Sequence, residues 1–153
     1  MPQYTDCYFL VENRERSIVE SFIARFLPFN KQAAEDYPIP LYADNPKMIF
    51  KDLNDILLYL EKHTDLDYSI YWKNCDEKSL IKHFMVFYTD DGKIIFGIST
   101  IGSDPAEKKV VLLFNQILDF LLSKVGCITV EEPPPFNSLE FIKFSKDRYI
   151  PNR

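Results

Sequence analysis

Few residues of this chain have both the type and the spacing that chemistry requires. Its histidines are His63 and His83, and its cysteines are Cys7, Cys75 and Cys127. His83 opens an aromatic stretch between Lys82 and Phe84 and is the residue that a small hydrolase or transferase would use as a general base, with a carboxylate drawn from elsewhere. No serine or cysteine stands at a recognisable nucleophile spacing from it, so no catalytic residue is assigned. His63 falls at the end of a predicted helix, where a positive charge suits the helix dipole.

Zinc needs paired His and Cys ligands, and no such spacing occurs. Asp65 and Asp67 alternate as in a calcium loop but lack its central glycine and closing glutamate. Glu131 and Glu132 are neighbours on a predicted strand and so point to opposite faces, which is no acid/base pair. Asp90-Asp91 reads as turn chemistry. The chain has only 4 glycines and neither of the phosphate-binding glycine patterns, so no nucleotide cofactor is implied. Cys7 and Cys127 lie in apolar runs and Cys75 in a polar one. An odd count without C-x-x-C fits reduced thiols in an intracellular compartment.

The elements that would position these residues follow from periodicity. Tyr4 to Val11 reads as a strand with Thr5, Cys7, Phe9 and Val11 on one face. Asn13 then caps a helix over Arg14 to Leu27 whose apolar stripe is Ile18, Phe22, Ile23, Phe26 and Leu27, with Arg14, Glu15, Glu20 and Arg25 facing water. Phe29 to Lys47, with Pro38, Pro40 and Pro46, is expected to be a long loop or partly helical near Lys31 to Asp36. A helix after Asp52 carries Leu53, Ile56, Leu57 and Leu60. Tyr68 to Lys73 alternates, with Tyr68, Ile70 and Trp72 on one face and Ser69, Tyr71 and Lys73 on the other.

Lys82 to Thr89 and Lys93 to Ile101, joined through Asp91-Gly92, make the clearest hairpin. Asp104-Pro105-Ala106-Glu107 predicts a helix start, with the helix running to about Lys124 and Gly126 ending it. Cys127 to Glu131 is a last strand, and Asn137 with Glu140 starts a short final helix. The order β-α-loop-α-β-β-β-α-β predicts an α+β fold, a mainly antiparallel sheet of about five strands with helices packed on it. At 153 residues the chain, 1–153, is expected to form one domain.

Charge is unevenly spread. Residues 35–77 hold ten acidic and four basic residues, a net of −6 in a chain whose total is −5. Among them Tyr37, Tyr42, Asp44, Asp65, Asp67 and Glu77 are the candidate binding residues of an acidic, aromatic surface that would dock a basic protein partner. An alternative is a small-ligand cleft around Trp72, Tyr71 and Phe84. The acid balance and the short basic tail (Lys143, Lys146, Arg148, Arg153) argue against nucleic acid. No apolar run reaches the length of a membrane span and no basic-then-apolar leader opens the chain, so the expected location is the cytoplasm.

The runs Tyr68 to Trp72 (YSIYW), Asp90 to Ser99 (DDGKIIFGIS) and Glu131 to Pro135 (EEPPP) resemble segments of small acidic α+β bacterial domains. In size, acidity and element order the chain is similar to immunity proteins of polymorphic-toxin systems, or to an uncharacterised bacterial domain of that type. That resemblance implies a non-enzymatic protein that neutralises a partner toxin by binding it. It assigns no site residue.

Overall fold

A computed structural model describes residues 2–152. Arg153 of the basic tail lies outside them. In chain order the elements are β1 (Tyr4–Val11), α1 (Arg16–Phe26), β2 (Asn30–Gln32), β3 (Tyr37–Ile39), β4 (Met48–Phe50), α2 (Leu53–Lys62), β5 (Tyr68–Asn74), β6 (His83–Tyr88), β7 (Ile94–Ile101), α3 (Lys108–Leu121), β8 (Gly126–Val130) and α4 (Ser138–Lys146). One sheet has the order β2-β5-β6-β7-β1-β8, and β3-β4 form a second, two-stranded sheet. Every pairing within these sheets is antiparallel. The fold class is therefore α+β, with six strands in the main sheet.

The two faces of that sheet are used differently. Cys7, Phe9 and Val11 of β1, Phe84, Val86 and Tyr88 of β6, and Ile94, Phe96 and Ile98 of β7 form the main core with Val19 and Phe22 of α1, Ile56, Leu57 and Leu60 of α2, and Val110, Phe114 and Ile117 of α3. Trp72 stacks on Phe84 at 4.9 Å and Phe84 on Phe22 at 4.5 Å within it. On the opposite face a smaller cluster of Tyr8, Leu10, Phe87, Ile95 and Cys127 is covered by Phe141 of α4. This second lid spans only the part of the face nearest the β6–β7 turn. The rest is open.

Several local expectations change. Arg14 does not face water: it is 3% exposed, and its guanidinium donates to the carbonyls of Leu60 (3.2 Å), His63 (2.9 Å), Leu66 (3.0 Å) and Thr89 while lying over the Tyr88 ring. A planar five-donor group satisfies the carbonyls of Leu60, in the last turn of α2, and of Leu66 beyond it, and adds a second donor to those of His63 and Thr89, which also accept from the amides of Leu66 and Gly92. Consequently α1 begins at Arg16, and Asn13 closes a local turn onto the amide of Glu15 rather than capping the helix.

The stretch from Phe29 to Lys47 is neither plain loop nor helix. It supplies edge strand β2 and then β3, where Tyr37 and Ile39 turn inward. Pro38 is tolerated because a strand in a two-stranded sheet has a free edge.

Helix α3 starts three residues later than its proline signal, Pro105, with Glu107 accepting from the amide of Val110, while Asp104 holds the preceding turn. It ends at Leu122, in a left-handed conformation (φ 53°), and not at a glycine. Gly126 instead opens β8, where a side chain would meet the Tyr8 carbonyl at 2.8 Å and the Phe114 ring at 3.0 Å. Helix α4 is as expected, with the Asn137 side chain accepting from the amides of Leu139 and Glu140.

Candidate functional site

The uncovered part of the sheet floors a cleft of about 650 Å³, open to solvent on one side. Strand register decides what lines it. Thr129 of β8 pairs with Asp6 of β1, Asp6 with Ser99 of β7, Ser99 with His83 of β6, His83 with Lys73 of β5, and Lys73 with Lys31 of β2. Residues directly opposite on adjacent strands point to the same face, so six polar side chains cross the sheet in one row. The next row toward the β6–β7 turn is apolar, built from Tyr8, Gly97, Met85 and Tyr71.

The floor depends on Gly97. The Tyr8 ring lies across it, so that a β-carbon there would sit 2.9 Å from that ring and 3.2 Å from the Met85 methyl. Tyr8 is fixed at its far end by donating to the Glu132 carbonyl at 2.7 Å. Glu132 belongs to the wall that closes the cleft on the β8 side. There Glu131 adopts a left-handed turn (φ 52°) and the three prolines hold the chain extended. Arg148 anchors the wall through two hydrogen bonds to the Glu132 carboxylate (3.2 and 2.6 Å) and lies over the Phe144 ring.

Two groups in the row have displaced proton equilibria. Burial, reinforced by the nearby Glu131 carboxylate and partly offset by the Glu131 amide, raises the Asp6 carboxyl from its ordinary 3.8 to about 7. Burial, and then the Lys73 ammonium, lowers the His83 imidazole, which is therefore neutral at pH 7. Its Nδ1 lies 2.8 Å from the Ser99 hydroxyl, and its ring meets that of Tyr4 edge-on.

A serine in contact with a histidine has the chemical form of a nucleophile and its base, but the surroundings do not complete that machine. Among the described residues no carboxylate hydrogen-bonds the second ring nitrogen of His83. Asp6 lies on the far side of Ser99, where it cannot orient that ring. Ser99 is mid-strand with a neighbour on each side, so its backbone is committed to the ladder and offers no pair of amides to a developing oxyanion.

The residues expected to form the docking surface do not line this cleft. Tyr37 is 2% exposed and packs in the main core, so it is no surface anchor. Burial pushes its hydroxyl up to about 12. Tyr42 is 83% exposed, and Asp44, Asp65, Asp67 and Glu77 are exposed. Asp67 and Glu77 lie beyond opposite ends of β5, about 20 Å apart along a seven-residue strand.

The aromatic cleft expected around Trp72, Tyr71 and Phe84 is also corrected. Trp72 and Phe84 face the helices, and Tyr71 alone of the three presents its ring on the cleft side. Asp6, Tyr8, Lys31 and Ser99 were not singled out from the sequence. One juxtaposition was legible, because a hairpin centred on Asp91 sets His83 opposite Ser99. Asp6 and Lys31 arrive through pairings distant in sequence.

Comparison with protein-family models, with characterised proteins and with solved structures finds no match. Among the described residues no group of three His, Cys, Asp or Glu side chains is arranged to hold a metal, and no helix is long and apolar enough to cross a membrane.

Proposed function

We propose that this is a non-enzymatic binding protein whose ligand site is the open cleft on the α4 side of the sheet. The observation that carries this reading is the polar row set into an aromatic floor: a buried carboxylate, a hydroxyl, a neutral imidazole and two ammonium groups share a concavity large enough for a small ligand. A protein that needed only to fold would cover such a floor or fill the row with apolar side chains. Keeping Asp6 there opposes stability, which is typical of positions retained for a task.

Amide chemical shifts during titration with indole, benzoate and benzylamine test the reading. Shifts confined to residues 4–8, 71–73, 83–87 and 97–99, and abolished by Met85→Trp, are expected. Shifts scattered over the surface, or unaffected by that substitution, sink it.

A second reading, docking of a basic protein such as a toxin domain, is supported by one observation. Thr64 packs near Gly92 at the hairpin tip, which brings Asp65 toward Asp90, Asp91 and Glu12 at one end of the molecule. Asp65→Lys with Asp67→Lys should then slow association with a basic partner severalfold at low salt and little at high salt. Equal association rates for parent and variant at low salt would end that reading.

A further inference from the structure

The cleft is electrically two-ended, and its free charges are arranged along its length. At the β8 side stand Asp6, 9% exposed, and Glu131, whose side chain has no ion-pair partner among the described residues. At the β2 side stand Lys31 and Lys73, directly opposite one another and likewise without ion-pair partners. Asp6 and Lys73 are three strand spacings apart, about 14 Å, and Lys31 is one further, about 19 Å. Between them the floor is Tyr8, Met85 and Tyr71, with only the neutral His83 and Ser99 hydroxyl breaking its apolar character.

The other charges around the cleft do not blur this polarity. Glu132 is neutralised by Arg148, and His83 carries no charge at pH 7. Resting on the reading that the cleft binds a ligand, we infer that its occupant is a short extended peptide with both termini free, its ammonium group at Asp6 and its carboxylate between Lys31 and Lys73. Length sets the size. Each extended residue spans about 3.4 Å, and a lysine side chain reaches roughly 6 Å back toward the ligand from its own strand position. Three to four residues bridge the remaining distance.

A cation alone would leave the two lysines repelling each other across β2 and β5. An anion alone would leave Asp6 and Glu131 facing each other in a site from which the ligand has displaced water. Only a ligand carrying both charges relieves both ends. The apolar floor then favours an aromatic or aliphatic residue in the middle of the peptide, stacked over Tyr8 and Met85.

Calorimetric titration at pH 8 with the tripeptide Ala-Phe-Ala is the test, using the free peptide, its N-acetyl form and its C-terminal amide. The free peptide is expected to bind, and each blocked form to bind about tenfold more weakly, the worth of one charge-assisted hydrogen bond. Acetylation should have no further effect on Asp6→Asn, and amidation none on the double variant Lys31→Ala with Lys73→Ala. Because the blocked peptides probe the unaltered protein, the outcome does not depend on any variant folding.

Equal affinity for free and acetylated peptides overturns the inference in favour of a simple anion site. Equal affinity for free and amidated peptides overturns it in favour of a cation site. If no peptide binds while indole still shifts the cleft amides, the dipolar ligand is wrong and the cleft reading stands. If indole also fails, both fall.

Discussion

Replacing Asp6 with asparagine should make the protein more stable, and by an amount that depends on pH. The substitution keeps the shape of the side chain and removes only its ability to ionise. Asp6 titrates near 7 in the folded protein and near 3.8 when unfolded, so between these values the folded state holds the proton that the unfolded state has released. Stability contributed by this position therefore falls as pH rises from about 4 to about 7 and is level above that.

The full interval corresponds to ~4 kcal/mol. Water enters the cleft from its open side and lessens the penalty, so roughly half of that, ~2 kcal/mol, is the expected gain for Asp6→Asn at pH 8. Near pH 5 the gain should shrink to below ~1 kcal/mol, and at pH 3 it should vanish, because both states are then protonated. Urea unfolding of parent and variant at these three pH values gives the difference directly, and effects common to both chains cancel. A variant less stable than the parent at pH 8, or a difference that does not change with pH, would refute the argument that burial holds the Asp6 proton.

Arg14→Ala should cost ~3 kcal/mol in urea unfolding, because it orphans the carbonyls of Leu60 and Leu66 and takes one of two donors from those of His63 and Thr89; Arg14→Lys should recover less than half, since an ammonium cannot span the same fork, and a cost under ~1 kcal/mol for alanine would contradict this role. Gly97→Ala should push Tyr8 and Met85 aside and lower stability by ~1–3 kcal/mol, with loss of the indole-induced shifts; retention of both would mean that Tyr8 is not held as described. Asp91 feels burial, which raises its carboxyl, but hydrogen bonds from Ser138 and Thr89 outweigh it and leave the group below the ordinary 3.8. Asp91→Ala should accordingly cost ~1 kcal/mol above pH 4, an effect lost as the pH falls below the depressed value, and a cost unchanged at pH 2 would exclude the ionised contact.

Much of the architecture could be read from local pattern. The Asp91-Gly92 turn, the alternation from Tyr68 to Lys73 and the stripes of α2 and α3 each satisfy a single strong period, and these elements form where that period places them. The misreadings fall where tertiary contacts override local preference. Strands β2, β3 and β4 have three residues each, too few for a period to show, and exist because a neighbouring strand offers them hydrogen bonds. Arg14 has the helix propensity and charge of a surface residue, yet the carbonyls it meets come from segments about 50 and 75 residues away. Gly126 has the position of a helix stop, but its lack of a side chain serves a close approach to Tyr8 of β1.

The candidate site divides in the same way. By itself the amino-acid sequence determined the α+β class, the inward and outward faces of the long strands, and the opposition of His83 and Ser99 across a hairpin. All of these follow from interactions within some twenty residues. Only the tertiary structure decided that Asp6, Thr129, Lys73 and Lys31 join that pair in one row, and that α4 stops short of covering them. Register between strands distant in the chain is set by how whole faces bury, and no local period carries that information. The excess of acid in residues 35–77 is real, but none of those carboxylates lines the cleft. Two carboxylates, Asp6 and Glu131, both outside that stretch, face two lysines across an aromatic floor.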